Sequence, residues 1–112
     1  MVVSALRTRL KARRVGDIGN DQSRDLYVAT GANRMRALFE VKTETSTSNV
    51  YEGIGQLMFH CAGLKPTPKR VLVVPEKPSP KTKRVLDQLG IHVLQYELRN
   101  GRAVFEDLHD VL

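Results

Sequence analysis

The segment Val71-Leu-Val-Val74 has no polar side chain. A strand with one wet face alternates apolar and polar residues, so an unbroken apolar run fits a central strand covered on both faces. The residues that follow supply a partner. Pro78 to Pro80 closes a connection, and Pro80 suits the first turn of a helix running to Leu89 with Val85, Leu86 and Leu89 inward. Gly90 ends that helix, and Ile91 to Leu98 reads as a further strand. Strand, helix and strand in this order make a right-handed parallel crossover.

The residues before the apolar run extend this pattern. Val3, Leu6 and Leu10 recur at steps of three and four, marking an amphipathic first helix within residues 1–15. Gly16 and Gly19 break it, and the stretch to Arg24 has loop composition. Asp25-Leu-Tyr-Val-Ala-Thr30 and Met35-Arg-Ala-Leu-Phe-Glu-Val-Lys42 read as a β-hairpin about Gly31 to Arg34. Asn49 and Glu52 have capping-box spacing, so a helix over residues 49–62 follows, with Val50, Ile54, Leu57, Met58 and Cys61 on one stripe and Gly63 at its stop. Asn100-Gly101 is a turn, and the last eleven residues are open between strand and short helix. The expectation is an α/β fold, an α-β-β-α-β-α-β sandwich with a mixed central sheet, in a single domain spanning the 112 residues.

Charge narrows the partners. The formal net charge is +6, with Arg7, Arg9, Lys11, Arg13 and Arg14 crowded in the first helix and further basic residues from Lys65 to Arg84. Such a domain attracts polyanions, nucleic acid first and an anionic membrane second; a solvated basic surface is the plainer alternative. Cys61 is the only cysteine, so no internal disulfide forms and a reducing, cytoplasmic setting is expected. No apolar run approaches the roughly 20 residues of a membrane span. The Arg-rich, acid-poor start also resembles a mitochondrial transit peptide, but its helical spacing favours a docked helix.

The chemistry is carried by the hairpin. A two-residue loop at Ala32-Asn33 sets Gly31 opposite Arg34 and, counting outward, Asp25 opposite Glu40. Carboxylates placed so, with Cβ atoms roughly 4.5–5.5 Å apart, destabilise the pair unless a cation joins them. Lys42, two residues beyond Glu40, returns to the same face. Two carboxylates and an ammonium converging at a strand end form a site for a hard divalent cation, magnesium first and manganese as substitute, and point to phosphodiester hydrolysis. The alternative is that Asp25 and Glu40 are unrelated exposed charges.

Asp25-Leu-Tyr-Val, a turn, and Leu38-Phe-Glu-Val-Lys42 resemble the signature of the PD-(D/E)XK nuclease superfamily, which has the restriction-endonuclease-like fold. The resemblance covers about residues 22–98. It implies that Asp25 and Glu40 bind the metal, that Val41 lends its backbone carbonyl, and that Lys42 serves the attacking water. Gln56 matches the Gln of a Gln-x-x-x-Tyr motif on the next helix of several branches, with His60 in the place of the Tyr; it implies contact with substrate or a metal-bound water. Arg24 stands where a proline often precedes the aspartate. Many members carry a glutamate on the first helix, and here that helix has no acid before Asp17. Either two carboxylates suffice, Asp17 or Asp21 substitutes, or the acid precedes residue 1. Glu44 keeps the strand parity and reads as an exposed carboxylate. Gly53 and Gly55 each cost about 1 kcal/mol of helix stability relative to Ala, so close approach to another backbone or to DNA is expected of them.

These readings combine into a magnesium-dependent deoxyribonuclease with Asp25, Glu40, Lys42 and Gln56 in the active site and Arg13, Arg14, Arg24, His60, Lys65 and Lys69 as candidate nucleic-acid contacts. It would act as a homodimer or within a larger DNA-processing assembly. The second hypothesis is a catalytically inactive DNA-binding or assembly module of the same fold, and the third a basic protein in which Glu-Val-Lys arises by chance. His92 and His109 read as structural or surface residues, and neither zinc-ligand spacing nor a phosphate-binding glycine loop occurs.

Overall fold

Val71 to Val74 are all without solvent exposure, as their composition requires. The computed structural model describes residues 2–13, 16–19, 26–30, 34–105 and 107–108. Along these run α1 (Val2–Ala12), β1 (Asp17–Gly19), β2 (Leu26–Thr30), β3 (Arg34–Val41), α2 (Thr47–Cys61), β4 (Lys69–Val74), α3 (Pro80–Gln88), β5 (Ile91–Arg99) and β6 (Arg102–Phe105). The architecture is α/β, with six strands in one mixed sheet whose spatial order follows the chain. β1, β2 and β3 pair antiparallel, β3, β4 and β5 parallel, and β5 and β6 antiparallel.

Alternation along the central strands divides the interior in two. Val71 and Val73 join Leu6 and Leu10 of α1, whereas Leu72 and Val74 join Val50 and Leu57 of α2 and Leu86 of α3. α1 therefore covers one face of the sheet, and α2 and α3 the other. Because α1 touches both outermost strands, β1 and β6, the sheet curls about it as a half-barrel.

Two features differ from the sequence-based expectation, and one left open there is decided. Residues 17–19, expected within a loop, form β1, and Ile18 packs against the α1 core. A three-residue Asp-Ile-Gly strand has no periodicity to betray it; pairing with β2 creates it. Of the ambiguous C-terminal stretch, Arg102–Phe105 is a strand, turned back by Asn100 (φ 53°) and Gly101 (φ 75°), the two left-handed positions of a type I′ hairpin turn. Val85, expected inward, is exposed, and α3 docks through buried Leu86 and half-buried Leu89.

The hairpin and α2 are also more subtle than expected. Leu26 faces Phe39, Tyr27 faces Leu38 and Val28 faces Ala37, as a two-residue loop requires, but Ala29 faces Met35 and Thr30 faces Arg34. The connection thus has three residues, and an irregularity after Val28, with Arg36 as the additional residue on β3, restores the expected outer register. The N-cap of α2 is Ser46, whose hydroxyl accepts from the Asn49 N–H at 3.3 Å, and the helix begins at Thr47. The expected Asn49–Glu52 capping box is replaced by this cap, which leaves the Glu52 side chain available elsewhere.

Candidate functional site

Glu40 and Lys42 leave β3 on the face covered by α2. They are the buried charged residues among those described, at 5% and 8% exposure. The intervening Val41 points the other way and packs against the α1 core. Lys42 follows the last residue of β3, yet its backbone is held from two sides. Its N–H donates to the Val73 carbonyl at 2.9 Å, continuing the parallel ladder, and its carbonyl accepts from the buried Tyr96 hydroxyl at 2.9 Å.

The ammonium is fixed as closely as the backbone. Lys42 Nζ donates to Glu52 Oε1 at 2.7 Å and to Gln56 Oε1 at 2.9 Å, and lies 3.4 Å from Glu40 Oε2. An ammonium has three N–H donors, and these oxygens match them in number. Burial works against the charged form of Lys42, but the hydrogen bond to Glu52 and the charge of Glu40 outweigh it, so its pKa is raised above the ordinary lysine value. Lys42 is thus a cation and donor at neutral pH, not a general base.

Gly53 lets α2 come this close. A Cβ there would lie 2.6 Å from Leu72 Cδ1, 3.5 Å from Lys42 Cε and 3.8 Å from Glu40 Cγ. Gly53 therefore makes a close approach, but to side chains of the sheet and not to the backbone or DNA that the sequence suggested. The close approach expected of Gly55 is not found: nothing lies within 4 Å of the equivalent position.

The expected partner across the hairpin, Asp25, lies outside the described residues, as do Arg14, Asp21, Arg24 and His109. The outer pairs Leu26 to Val28 keep the register on which the Asp25–Glu40 pairing was argued. Asp17 is exposed in β1 opposite Ala29, itself opposite Met35. Five residues of β3, about 17 Å, separate Met35 from Glu40, so Asp17 does not join the cluster. Glu44 is exposed, and its carbonyl accepts from Asn49 Nδ2.

Gln56 is where sequence spacing puts it, on the flank of α2 and on the Lys42 ammonium. His60 stands one turn further on, half-buried, edge-on to the exposed ring of Phe59 at 5.3 Å between centroids. Lys65 is exposed beyond the end of α2, and Lys69 is exposed at the start of β4 opposite Ala37, about 10 Å along the strand from the level of Glu40. Arg13 is exposed after α1, whose side of the sheet is opposite to that of α2. The structure thus brings Glu40, Lys42 and Gln56 together and leaves the described basic candidates apart from them. Among the described residues no three of His, Cys, Asp and Glu gather as a metal cage.

Sequence reasoning gave Glu52 only a capping role, sought the neighbour of Gly53 in a backbone or DNA, and passed over Tyr96. Glu52 carried a signal, since Glu52, Gln56 and His60 succeed one another at steps of four on one flank of α2. Tyr96 carried none: it meets Lys42 from 54 positions away. No helix among the described residues is long and apolar enough to cross a membrane. Compared with models of known protein families, with curated proteins and with solved structures, the chain matches none.

Proposed function

We propose that the chain is a metal-dependent nuclease of the PD-(D/E)XK type, with a restriction-endonuclease-like arrangement, that hydrolyses phosphodiester bonds in DNA, as an endonuclease. The observation that carries this reading is the buried pair Glu40 and Lys42 at one strand end, with Gln56 on the lysine. A carboxylate and an ammonium withdrawn from water at the same place carry a desolvation cost to stability, and such groups cluster at functional sites.

In this reading Asp25, Glu40 and the Val41 carbonyl form an all-oxygen donor set, which suits magnesium or manganese and not a soft metal. Such an ion, when bound, would polarise the phosphoryl oxygen and make water acidic enough to attack. Lys42, held by Glu52 and Gln56, would turn the N–H that faces Glu40 at 3.4 Å toward the phosphate or the attacking water, and its charge offsets the charge that develops as the phosphorus–oxygen bond breaks. Gln56 keeps the ammonium aimed. A phosphate backbone crossing Lys42 and Gln56 continues past His60 toward Lys65 and Lys69, and Arg13, Arg14 and Arg24 add positive charge for a further stretch of DNA or a second copy. Cutting both strands of a duplex calls for two such centres, so a homodimer or a larger DNA-processing assembly belongs to this reading.

The test is cleavage of supercoiled, linear, branched and single-stranded DNA with magnesium, manganese or chelator, by wild type and Glu40→Gln in parallel. Metal-dependent cutting that Glu40→Gln abolishes supports the nuclease. Absence of cutting by either, with salt-sensitive DNA binding, supports the second reading of an inactive binding module. That second reading draws on one observation: the Lys42 ammonium is surrounded by oxygens of the chain's own side chains, as in a structural ion pair.

A further inference from the structure

We propose that Glu52 is a positioning residue of this centre: with Gln56 it holds the Lys42 ammonium beside Glu40, in the orientation from which it serves the reacting phosphate. The inference rests on the nuclease reading and goes beyond it, because nothing in the Glu-x-Lys pattern requires an acid at this place.

Glu52 makes the shorter of the two hydrogen bonds that α2 contributes to Lys42, 2.7 Å against 2.9 Å from Gln56. Its side chain is 61% exposed, so water would solvate it freely in other rotamers, and the side chain of its partner Lys42 is 10% exposed. An exposed carboxylate drawn onto a buried cation differs from the usual surface pair, in which both ends are wet and little is gained. The local sequence makes the contact possible. Residues 52 and 56 flank the line on which Gly53 approaches the sheet, and the absence of a Cβ at 53 brings both side chains within reach of one nitrogen. The Ser46 cap leaves Glu52 without a capping duty.

The geometry gives the two helix residues distinct tasks. Gln56 is neutral and restrains direction, while Glu52 restrains direction and charge together. A four-carbon side chain ordered in this way before substrate arrives loses less freedom on reaching the transition state.

The experiment compares wild type, Glu52→Gln and Glu52→Ala in two measurements. The first is cleavage of a short DNA with magnesium, resolved into kcat and KM. Glu52→Ala should lower kcat by about 10- to 100-fold with KM nearly unchanged, and Glu52→Gln should recover part of the loss. The second is the NMR signal of the Lys42 Nζ hydrogens without DNA or metal, whose protection from exchange with water should fall in Glu52→Ala and fall less in Glu52→Gln. Folded variants with wild-type kcat, or a Lys42 ammonium as protected in Glu52→Ala as in wild type, overturn the proposal. Failure of wild type to cut DNA defeats the nuclease reading instead, and the exchange measurement then decides alone whether Glu52 orders Lys42.

Discussion

α2 carries two glycines two residues apart, and the structure assigns them opposite consequences. Each costs about 1 kcal/mol of helix stability relative to Ala. Gly55 is exposed with open space around a Cβ, so Gly55→Ala should recover about 1 kcal/mol and raise Tm by about 4 °C. At Gly53 the same methyl would stand 2.6 Å from Leu72 Cδ1, about 1 Å inside ordinary carbon–carbon contact. Leu72 is fully buried among Leu38, Val50, Leu57 and their neighbours, so it has little room to turn aside.

Overpacking of this kind costs about 1–3 kcal/mol, which offsets or exceeds the gain in propensity. Gly53→Ala should therefore be less stable than Gly55→Ala by about 1–3 kcal/mol in urea denaturation. Relief by a shift of α2 away from the sheet would also lengthen the 2.7 and 2.9 Å bonds to Lys42, so Gly53→Ala, unlike Gly55→Ala, should disturb the Lys42 NMR signals and slow cutting. Equal stabilisation by the two substitutions would refute the close approach of α2 to Glu40 and Lys42.

Tyr96→Phe should cost about 1–2 kcal/mol in denaturation, because it removes a buried hydroxyl from the Lys42 carbonyl; an unchanged midpoint would mean that the bond contributes nothing. Burial raises the pKa of Cys61 and of Tyr96, and Glu52 and Glu40 raise that of Lys42 against its burial, so the folded chain holds these protons more tightly than the unfolded one. Stability should then be full at neutral pH and fall as pH rises, from about pH 8.5 for the thiol and above about 10 for the phenol and ammonium; a urea midpoint flat from pH 7 to 11 contradicts this. Binding of Glu40→Gln to DNA should weaken with salt, and Lys65→Ala and Lys69→Ala should each lower the slope of log K against log salt by about 0.9 if each lysine meets a phosphate.

The elements that sequence revealed are those with local causes. The apolar run of β4, the stripe of α1, the proline and glycine bounds of α3 and the Asn-Gly turn each state their structure within a few residues. β1 and the position of α2 over the sheet depend on partners far away in the chain, and no periodicity records them. The hairpin lies between these cases: its outer register was legible, while the irregularity after Val28 that compensates a longer loop was not. The candidate site divides similarly. Strand parity joins Glu40 to Lys42 and helix spacing marks Gln56, but what Lys42 touches is set by the closeness of α2, which Gly53 decides.

That closeness bears on whether the cluster is there for stability or for chemistry. Substituting Lys42→Met alone leaves the buried Glu40 carboxylate without its ammonium and should cost about 3–5 kcal/mol. Replacing both, Glu40→Met with Lys42→Met, removes the desolvation of two charges and returns apolar groups of similar volume to a core that already holds Leu38 and Leu72. Buried ion pairs exchanged in this way are often neutral or gain about 1–4 kcal/mol. Glu52 and Gln56 stand at the mouth of the site and can turn to water when the ammonium is gone. The double variant should thus be at least as stable as wild type and unable to cut DNA, so that stability and activity part company. A double variant destabilised by several kcal/mol would make the pair part of the framework, and the inactive binding module would then be the better reading of the same geometry.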